Sequence, residues 1–265
     1  MKFTYDHDYH IHSQLSSCSA DPEQTAERIL QYAKENGLKR ICLTDHYWDN
    51  TVPGASNWYA PQDFDHIKQV GALPQAEGIE FLFGCETDMD KYLTLGLPRE
   101  RWDDFDFVII PTTHMHMTGF TIPEEFKTSR EKRAQLWVTR LESLLSRDLP
   151  FHKLGIAHLA CSLIDNRSSE DYLRVLDLIP TEDMERVFTK AAQLGCGIEL
   201  NQYDMNCSDK EADTVLRMFR VAKACGCKFY CGSDAHHPSS FETTKAIFDR
   251  AIERLGLQES DKFHF

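Results

Sequence analysis

The chain has 265 residues, 42% of them hydrophobic, and a net charge of −13 from 42 acidic and 29 basic residues. This length suits one large domain, and we expect residues 1–265 to form it. The acidic balance argues against a duplex-binding surface, which needs a basic stripe. The sequence has no run of 18 apolar residues and no basic-then-apolar leader, so we expect no membrane span and no secretory signal.

The nine cysteines are scattered and odd in number, which predicts reduced thiols in a cytoplasmic protein. The strongest basic run lies in one predicted helix, and we interpret it as a solvated helix face rather than a nucleic-acid site. Its members are Lys127, Arg130, Lys132, Arg133 and Arg140.

Strand-like and helix-like segments alternate along the chain. We predict strands at 8–12, 39–46, 79–88, 105–114, 153–160, 197–202 and 228–236. We predict helices at 21–37, 60–73, 127–147, 181–195, 209–225 and 239–255, the first with Asp21 as its N-cap. About seven βα units with continuous apolar strands indicate a parallel barrel or a doubly wound sheet. The absence of G-x-G-x-x-G and Walker A motifs disfavours dinucleotide-binding and P-loop folds.

Every predicted strand ends in residues that can bind a metal or move a proton. In chain order they are His10, His12, Asp45, His46, Glu86, His114, His158, Glu199, Asn201, Asp234 and His236. The carboxyl ends of parallel barrel strands converge on one face, where active sites are built. Imidazoles and carboxylates suit zinc, iron and manganese. The donors outnumber the three or four ligands of one ion, so the sequence predicts a site with two or three divalent metals.

The order of these motifs resembles the PHP (polymerase and histidinol phosphatase) superfamily, of the stand-alone histidinol-phosphatase-like type. The resemblance covers nearly the whole chain and implies a distorted (βα)7 TIM-like barrel with three metals at the C-terminal ends of its strands. It is carried by H-x-H at His10 and His12, T-D-H ending at His46, Glu86, His114, His158, and S-D-A-H with Asp234 and His236.

The resemblance also implies which metal each residue would hold. His10, His12, Glu86 and Asp234 would hold the first metal, Glu86, His114 and His158 the second, and His46 and His236 the third. Relatives place a further His or Asp shortly after the H-x-H, where this chain has Cys18, with Asp21 nearby. The extra ligand of the third metal is therefore open between these two residues and water.

The predicted activity is that of a metal-dependent phosphatase acting on a small phosphomonoester through a metal-activated hydroxide, with Glu86 and Asp234 as catalytic residues. L-Histidinol phosphate is the first candidate substrate, by family analogy alone. Arg167, in the loop after His158, and Asn201 are candidate substrate-binding residues.

Several alternatives stay open at this stage. A nuclease acting on short oligonucleotides or nucleotides would use the same ions, and a non-catalytic metal-binding domain is a second alternative. Asp45 either orients His46 or closes its strand. His116 is a candidate pocket residue, and Trp58 and Tyr59 either stack on a substrate ring or cover the barrel edge. The sequence does not predict the metal identity or the oligomeric state.

Overall fold

The computed structural model describes residues 1–19 and 21–265. Its strands are β1 (His7–Ile11), β2 (Arg40–Leu43), β3 (His46–Tyr47), β4 (Glu80–Thr87), β5 (Phe107–Pro111), β6 (Leu154–Ala157), β7 (Gly197–Asn201) and β8 (Lys228–Gly232). All pairings between these strands are parallel, in the order β1-β2-β4-β5-β6-β7-β8, and the short β3 pairs with β4.

The sheet closes on itself where β1 meets the segment after β8. The backbone N–H of Asp234 donates to the carbonyl of His10 at 2.7 Å, and that of His12 donates to the carbonyl of Ala235 at 3.1 Å. Ile11 and Ala235 form a parallel bridge between these two bonds. The seven-strand path is thus a nearly closed parallel barrel, which confirms the distorted (βα)7 fold predicted from the sequence.

Helices surround the barrel. They are α1 (Ala26–Asn36), α2 (Phe64–Ile67), α3 (Arg130–Leu145), α4 (Ser169–Leu178), α5 (Thr181–Leu194), α6 (Gln202–Met205), α7 (Ala212–Val215), α8 (Arg217–Ala224) and α9 (Phe241–Leu255). Residues 88–106, all of which the structure describes, contain a 3₁₀ helix at Arg99–Asp104 in place of an α-helix. Among the described residues, no helix combines the length and apolar character that crossing a membrane requires.

The first predicted helix begins later than expected, and the proposed N-cap is wrong. The side chain of Thr25 accepts the N–H of Arg28 at 3.2 Å and so supplies the cap of α1. A carboxylate oxygen of Asp21 instead lies 2.6 Å from Nε2 of His237. Both residues are good N-caps by type. Asp21 Oδ1 accepts the N–H of Glu23 at 2.8 Å, outside the helix, whereas Thr25 accepts an N–H of the first turn of α1.

Two other helix predictions differ from the structure, and one helix was not predicted. The predicted helix at 60–73 is only one α-helical turn followed by a 3₁₀ turn, and the predicted helix at 209–225 is divided into α7 and α8. Helix α4 was not predicted, although Ser168 caps it by accepting the N–H of Asp171 at 3.0 Å. The S-x-x-D spacing was the local signal for this cap.

The interpretation of the basic run as a solvated face is wrong for two of its members. Arg133 and Arg140 on α3 are 2% and 0% exposed. Arg133 donates to the backbone carbonyls of Met115 at 2.8 Å and Ile164 at 2.6 Å. These arginines therefore join α3 to loops on the face of the barrel that carries the predicted ligands.

An aromatic cluster fills the opposite, amino-terminal part of the barrel. Phe107 stacks on Phe265 with ring centroids 4.5 Å apart, and Tyr9 and Tyr230 pack against Phe107 at 5.7 and 5.3 Å. Phe263 is buried in the same cluster. These rings close the barrel interior below the strand ends.

Candidate metal centre

The structure brings all eight predicted metal ligands together at the carboxyl ends of the strands. They form three overlapping groups, and within each group one donor atom per residue lies within 4.8 Å of the others. The groups are His10, His12, Glu86 and Asp234; Glu86, His114 and His158; and His12, His46 and His236. The first two are the sets predicted from the sequence, and the third includes His12 beside the two predicted residues.

Glu86 occupies the middle of this constellation at the end of β4, with its side chain 1% exposed. Its Oε1 lies 3.1 Å from Nε2 of His158, and its Oε2 lies 2.9 Å from Nδ1 of His46. The same Oε2 is 3.4 Å from Nε2 of His10 and 3.3 Å from Nε2 of His12. One carboxylate therefore faces donors from three other strand ends.

Several of these atoms are buried and, although some lie close together, make no hydrogen bond of acceptable geometry among the described residues. They are Nδ1 of His46, Oε2 of Glu86 and Nε2 of His236. An unpaired buried polar atom costs roughly 1–3 kcal/mol, and native proteins contain few of them. A divalent cation would satisfy all three lone pairs, and imidazole and carboxylate are donors that such cations take. The donor set fits a divalent-metal centre.

The carboxylates are held in the ionised form that metal binding requires. Burial alone would raise the pKa of Glu86, but His46 and His10 outweigh it and hold that pKa well below its usual range. The pKa of Asp234 is also held well below its usual range, because His10 and His12 outweigh burial. Burial and the neighbouring His12 lower the pKa of His236 to about 3, so this imidazole is neutral and able to coordinate.

Glu199, at the end of β7, supports the donor groups through hydrogen bonds to His10 and His158. Its Oε1 accepts Nδ1–H of His10 at 2.6 Å, and its Oε2 accepts the backbone N–H of His158 at 2.7 Å. Gly232 on β8 leaves room for this carboxylate, because a Cβ at that position would lie 2.1 Å from Oε1. A buried anion that bonds Nδ1 leaves Nε2 of His10 free for a metal.

Asp45 acts on His12, not on the His46 side chain that the sequence suggested as one option. Oγ of Ser16 donates to Oδ1 of Asp45 at 2.7 Å and accepts Nδ1–H of His12 at 2.8 Å. The same Oγ accepts the backbone N–H of His46 at 3.1 Å. The Ser16 hydroxyl thus fixes the imidazole of one predicted ligand and the backbone of another.

Asp88 and Arg140 perform the corresponding role for His114. Nδ1 of His114 lies 3.1 Å from Oδ2 of Asp88, and Nη2 of Arg140 donates to Oδ1 of the same carboxylate at 2.5 Å. Both members of this ion pair are 0% exposed. Asp88 was not predicted as a site residue, although its position two residues after Glu86 in the predicted strand 79–88 was an available signal.

Two of the predicted ligands have a backbone conformation that non-glycine residues rarely adopt. His158 follows β6 with φ 28°, and Asp234 follows β8 with φ 52°. Left-handed conformations cost such residues of order 1 kcal/mol or more, and they cluster at functional sites. Both turns direct a donor from a strand end toward the shared centre.

The two predicted substrate-binding residues have different surroundings. Nδ2 of Asn201 donates to Oε2 of Glu199 at 3.2 Å and to Oδ2 of Asp234 at 3.4 Å, so this amide lies at the edge of the centre. Arg167 forms a two-pronged pair with Asp165, at 2.9 and 2.6 Å, and does not line the cavity above the centre. Its guanidinium is committed to that carboxylate.

A cavity of about 560 Å³ opens above the centre. Its described lining residues are Cys18, His46, Trp58, Tyr59, Glu86, His114, His116, Met117, Leu163, Tyr203, Asp234 and His236. Cys18 lines this space, but neither Cys18 nor Asp21 belongs to any of the three donor groups. Within the described residues, the position that the sequence left open between them is instead approached by His12.

The parallel barrel and the imidazole and carboxylate donors at its strand ends place the chain in the class of α/β barrels whose strand ends carry a candidate metal site. A family model described as the PHP domain matches residues 8–203, and the chain belongs to the PHP domain family. This match includes six of the eight predicted ligands and ends before Asp234 and His236. No curated protein matches the chain.

Solved structures are similar over nearly the full length. The histidinol phosphate phosphatase of Lactococcus lactis subsp. lactis Il1403, complexed with zinc, L-histidinol and phosphate, is 18% identical, with 98% of this chain and 99% of that chain covered and a TM-score of 0.60. A probable 2-pyrone-4,6-dicarboxylic acid hydrolase from Acinetobacter baumannii, with citric acid bound, is 15% identical over 97% of both chains, with a TM-score of 0.42. The first of these likenesses supports the barrel fold.

Proposed function

We propose that the chain is a metal-dependent phosphatase that hydrolyses a small phosphomonoester. The observation that carries the proposal is the placement of Glu86, whose Oε1 faces His158 at 3.1 Å and whose Oε2 faces His12 at 3.3 Å and His10 at 3.4 Å. A carboxylate with oxygens directed toward separate donor groups is able to bridge two ions. Paired ions are a common arrangement for displacement at phosphorus.

Two or three ions of zinc, iron or manganese fit the donors. The ligand assignment is His10, His12, Glu86 and Asp234 for one ion, Glu86, His114 and His158 for the second, and His12, His46 and His236 around a third position. When bound, such ions lower the pKa of water toward about 7 and neutralise charge on phosphate oxygens.

Asp234 is the proposed proton acceptor. Its side chain lines the cavity beside His46, Glu86 and His236. The amide of Asn201 lies 3.4 Å from Oδ2 and orients the carboxylate. An ionised carboxylate at the cavity wall is placed to take the proton from the attacking water.

L-Histidinol phosphate is the first candidate substrate. The similar Lactococcus lactis phosphatase was solved with L-histidinol and phosphate, and its name gives histidinol phosphate as its substrate. The volume of about 560 Å³ is in the range of small-molecule sites. Fold-level analogy alone does not define a substrate, so the assay must include other phosphate esters.

The test is to purify the chain without added metal, measure bound metals by mass spectrometry, and assay the sample with L-histidinol phosphate, p-nitrophenyl phosphate and a dinucleotide. We expect two or three equivalents of metal and phosphate release from the monoesters. Bound metal with cleavage of the dinucleotide alone would overturn the proposal in favour of a nuclease. Failure to bind metal, even after titration, would overturn the ligand assignment.

A further inference from the structure

The cavity above the metal centre has two unlike walls. One wall carries the donors His46, Glu86, His114, Asp234 and His236. The second wall adjoins the first where Trp58 packs against His46. It is built mainly from apolar and aromatic side chains, namely Trp58, Tyr59, Met117, Leu163 and Tyr203, and the lining also contains Cys18 and His116. A phosphate held at the first wall would leave the alcohol part of the substrate against the second.

The aromatic wall is preformed. The indole of Trp58 is edge-on to the imidazole of His46, with ring centroids 4.9 Å apart and planes at 69°. Trp58 also packs on Tyr59 at 4.7 Å and 89°. Tyr59 is 0% exposed, and its ring packs 5.8 Å from Trp48. Rings that are fixed in this way lose little conformational freedom when a planar group packs on them.

The lining of this cavity, as far as the chain is described, includes no lysine or arginine. The proposed metal ions would neutralise the negative charge of one phosphate group. A second anionic group on the substrate would lie against an apolar wall without a cation, at the desolvation cost of an unpaired charge. Arg167 cannot relieve this cost in the observed conformation, because both prongs of its guanidinium bind Asp165 at 2.9 and 2.6 Å.

A second cavity, of about 510 Å³, adjoins the first at Tyr203, which lines both. Its lining contains Asp165, Asp204 and Glu211 and, among the described residues, no lysine, arginine or histidine. Asp204 is 3% exposed, its Oδ2 accepts the N–H of Ala160 at 3.0 Å, and its Oδ1 has no partner in the described part of the chain. Arg167 already pairs with Asp165, and burial raises the pKa of Asp204 to about 7. A substrate that extends past Tyr203 therefore meets carboxyl groups but no cationic side chain of the described lining.

Together, these two cavities define the alcohol part of the substrate. We propose that the substrate is a phosphomonoester whose alcohol carries an apolar ring and no second anionic group, with the ring packed against Trp58 and Leu163. A cationic substituent directed toward Tyr203 and Asp204 is accepted. The inference rests on the proposed phosphatase function and narrows it, because it excludes bisphosphates, phosphorylated carboxylic acids and oligonucleotides as preferred substrates.

Four phosphate esters with leaving alcohols of similar acidity test this proposal. They are methyl, benzyl, 4-carboxybenzyl and 4-(aminomethyl)benzyl phosphate, assayed with the metal-loaded protein at one ionic strength. Burying the ring should raise kcat/KM for benzyl over methyl phosphate by about tenfold or more. The carboxylate should lower kcat/KM about tenfold or more relative to benzyl phosphate. The aminomethyl ester should equal or exceed benzyl phosphate.

Variants of the wall connect the preference to the structure. Trp58→Ala should lower the ratio of kcat/KM for benzyl phosphate to kcat/KM for methyl phosphate. Trp58→Phe should restore part of this ratio. Leu163→Ala provides the same test if the tryptophan variants do not fold. Tyr92→Ala is the matched control, because Tyr92 is 77% exposed and lies outside both cavity linings, so the ratio should stay unchanged.

The results separate the two proposals. Equal kcat/KM for methyl and benzyl phosphate, or no loss with the carboxybenzyl ester, would overturn the substrate inference while phosphate release upholds the phosphatase. A ratio unaffected by both Trp58→Ala and Leu163→Ala would also overturn it. Hydrolysis of none of the four esters by protein with its metals bound would overturn the phosphatase proposal itself.

Discussion

Glu199 and His10, which are 189 residues apart in the chain, meet through a 2.6 Å contact between Oε1 and Nδ1. Nε2 of the same imidazole faces Glu86 and Asp234, both at 3.4 Å. The contact therefore fixes which nitrogen of His10 points into the donor group. A carboxylate in this position also makes the imidazole a stronger electron donor to a metal.

Replacement of this carboxylate should weaken metal binding without removing a ligand. We expect Glu199→Gln to raise the dissociation constant of the ion held by the group that contains His10 by about 10–100-fold. Competition with a coloured chelator measures this constant directly. Glu27→Gln, an exposed carboxylate on α1, is the control and should leave it unchanged. Equal metal dissociation constants for the two variants would show that Glu199 does not support metal binding.

Glu86 belongs to two donor groups, whereas His46 belongs to one. Glu86→Gln should therefore lower the metal content by more than one equivalent, and His46→Ala by no more than one. We expect the first variant to lose activity by about a hundredfold or more, because the charge that holds the ions together is removed. Metal analysis by mass spectrometry on matched preparations gives the comparison. Full metal content in Glu86→Gln would contradict the bridging assignment.

The Arg140–Asp88 pair is fully buried, so its disruption should destabilise the fold. Arg140→Met leaves the carboxylate of Asp88 without its cation, and breaking such a pair typically costs about 3–5 kcal/mol. Urea unfolding of the metal-free protein measures the loss. Lys132→Met on the exposed face of the same helix should change the free energy of unfolding by about 0.5 kcal/mol or less. A similarly small effect for Arg140→Met would show that the pair adds no stability.

Asp6, far from the metal centre in the barrel, should make folding stability pH-dependent. Burial alone would raise the pKa of this carboxyl, but hydrogen bonds from His7 at 2.9 Å and Lys262 at 3.0 Å outweigh it and hold the pKa below its usual range. The ionised form is therefore favoured by folding. Its contribution is present above the ordinary pKa of 3.8 and is lost as the pH falls through the lower folded value.

Comparison with Asp6→Asn isolates this contribution. At pH 7 the variant should unfold more easily by about 1 kcal/mol, a magnitude reduced by the partial exposure of the carboxyl. At pH 2 to 3 the difference between the two proteins should shrink. Chemical unfolding at both pH values provides the measurement, and a difference that grows on acidification would refute the assigned role.

The sequence was sufficient to locate the candidate ligands because their signal is local. His10 and His12 are two residues apart, and each remaining ligand lies at or shortly after the end of an apolar segment predicted as a strand. In a parallel barrel, the carboxyl ends of all strands meet on one face, so the fold alone converts these separate positions into one centre. The resemblance then indicated Glu86 as the shared carboxylate.

The residues that position the ligands could not be predicted in this way. Arg140 reaches Asp88 across 52 residues, from a helix whose charge pattern looked solvent-exposed. Ser16 lies in an irregular segment, and its hydroxyl gains a role only when Asp45 is brought beside it at 2.7 Å. Such contacts depend on the angle at which a helix or loop packs, and single-sequence periodicity contains no information on that angle.

The aromatic cluster at the amino-terminal part of the barrel limits access to the donor groups. Tyr9, Phe107, Tyr230 and Phe263 are each no more than 3% exposed and close the interior beneath the donors. Among the described residues, these rings close one end of the barrel interior, so the ions and substrate of the proposed phosphatase would reach the donors from the cavity side. Phosphate that occupies the cavity should hinder the release of ions bound by the donors. The rate at which a chelator removes metal should therefore fall when inorganic phosphate is present.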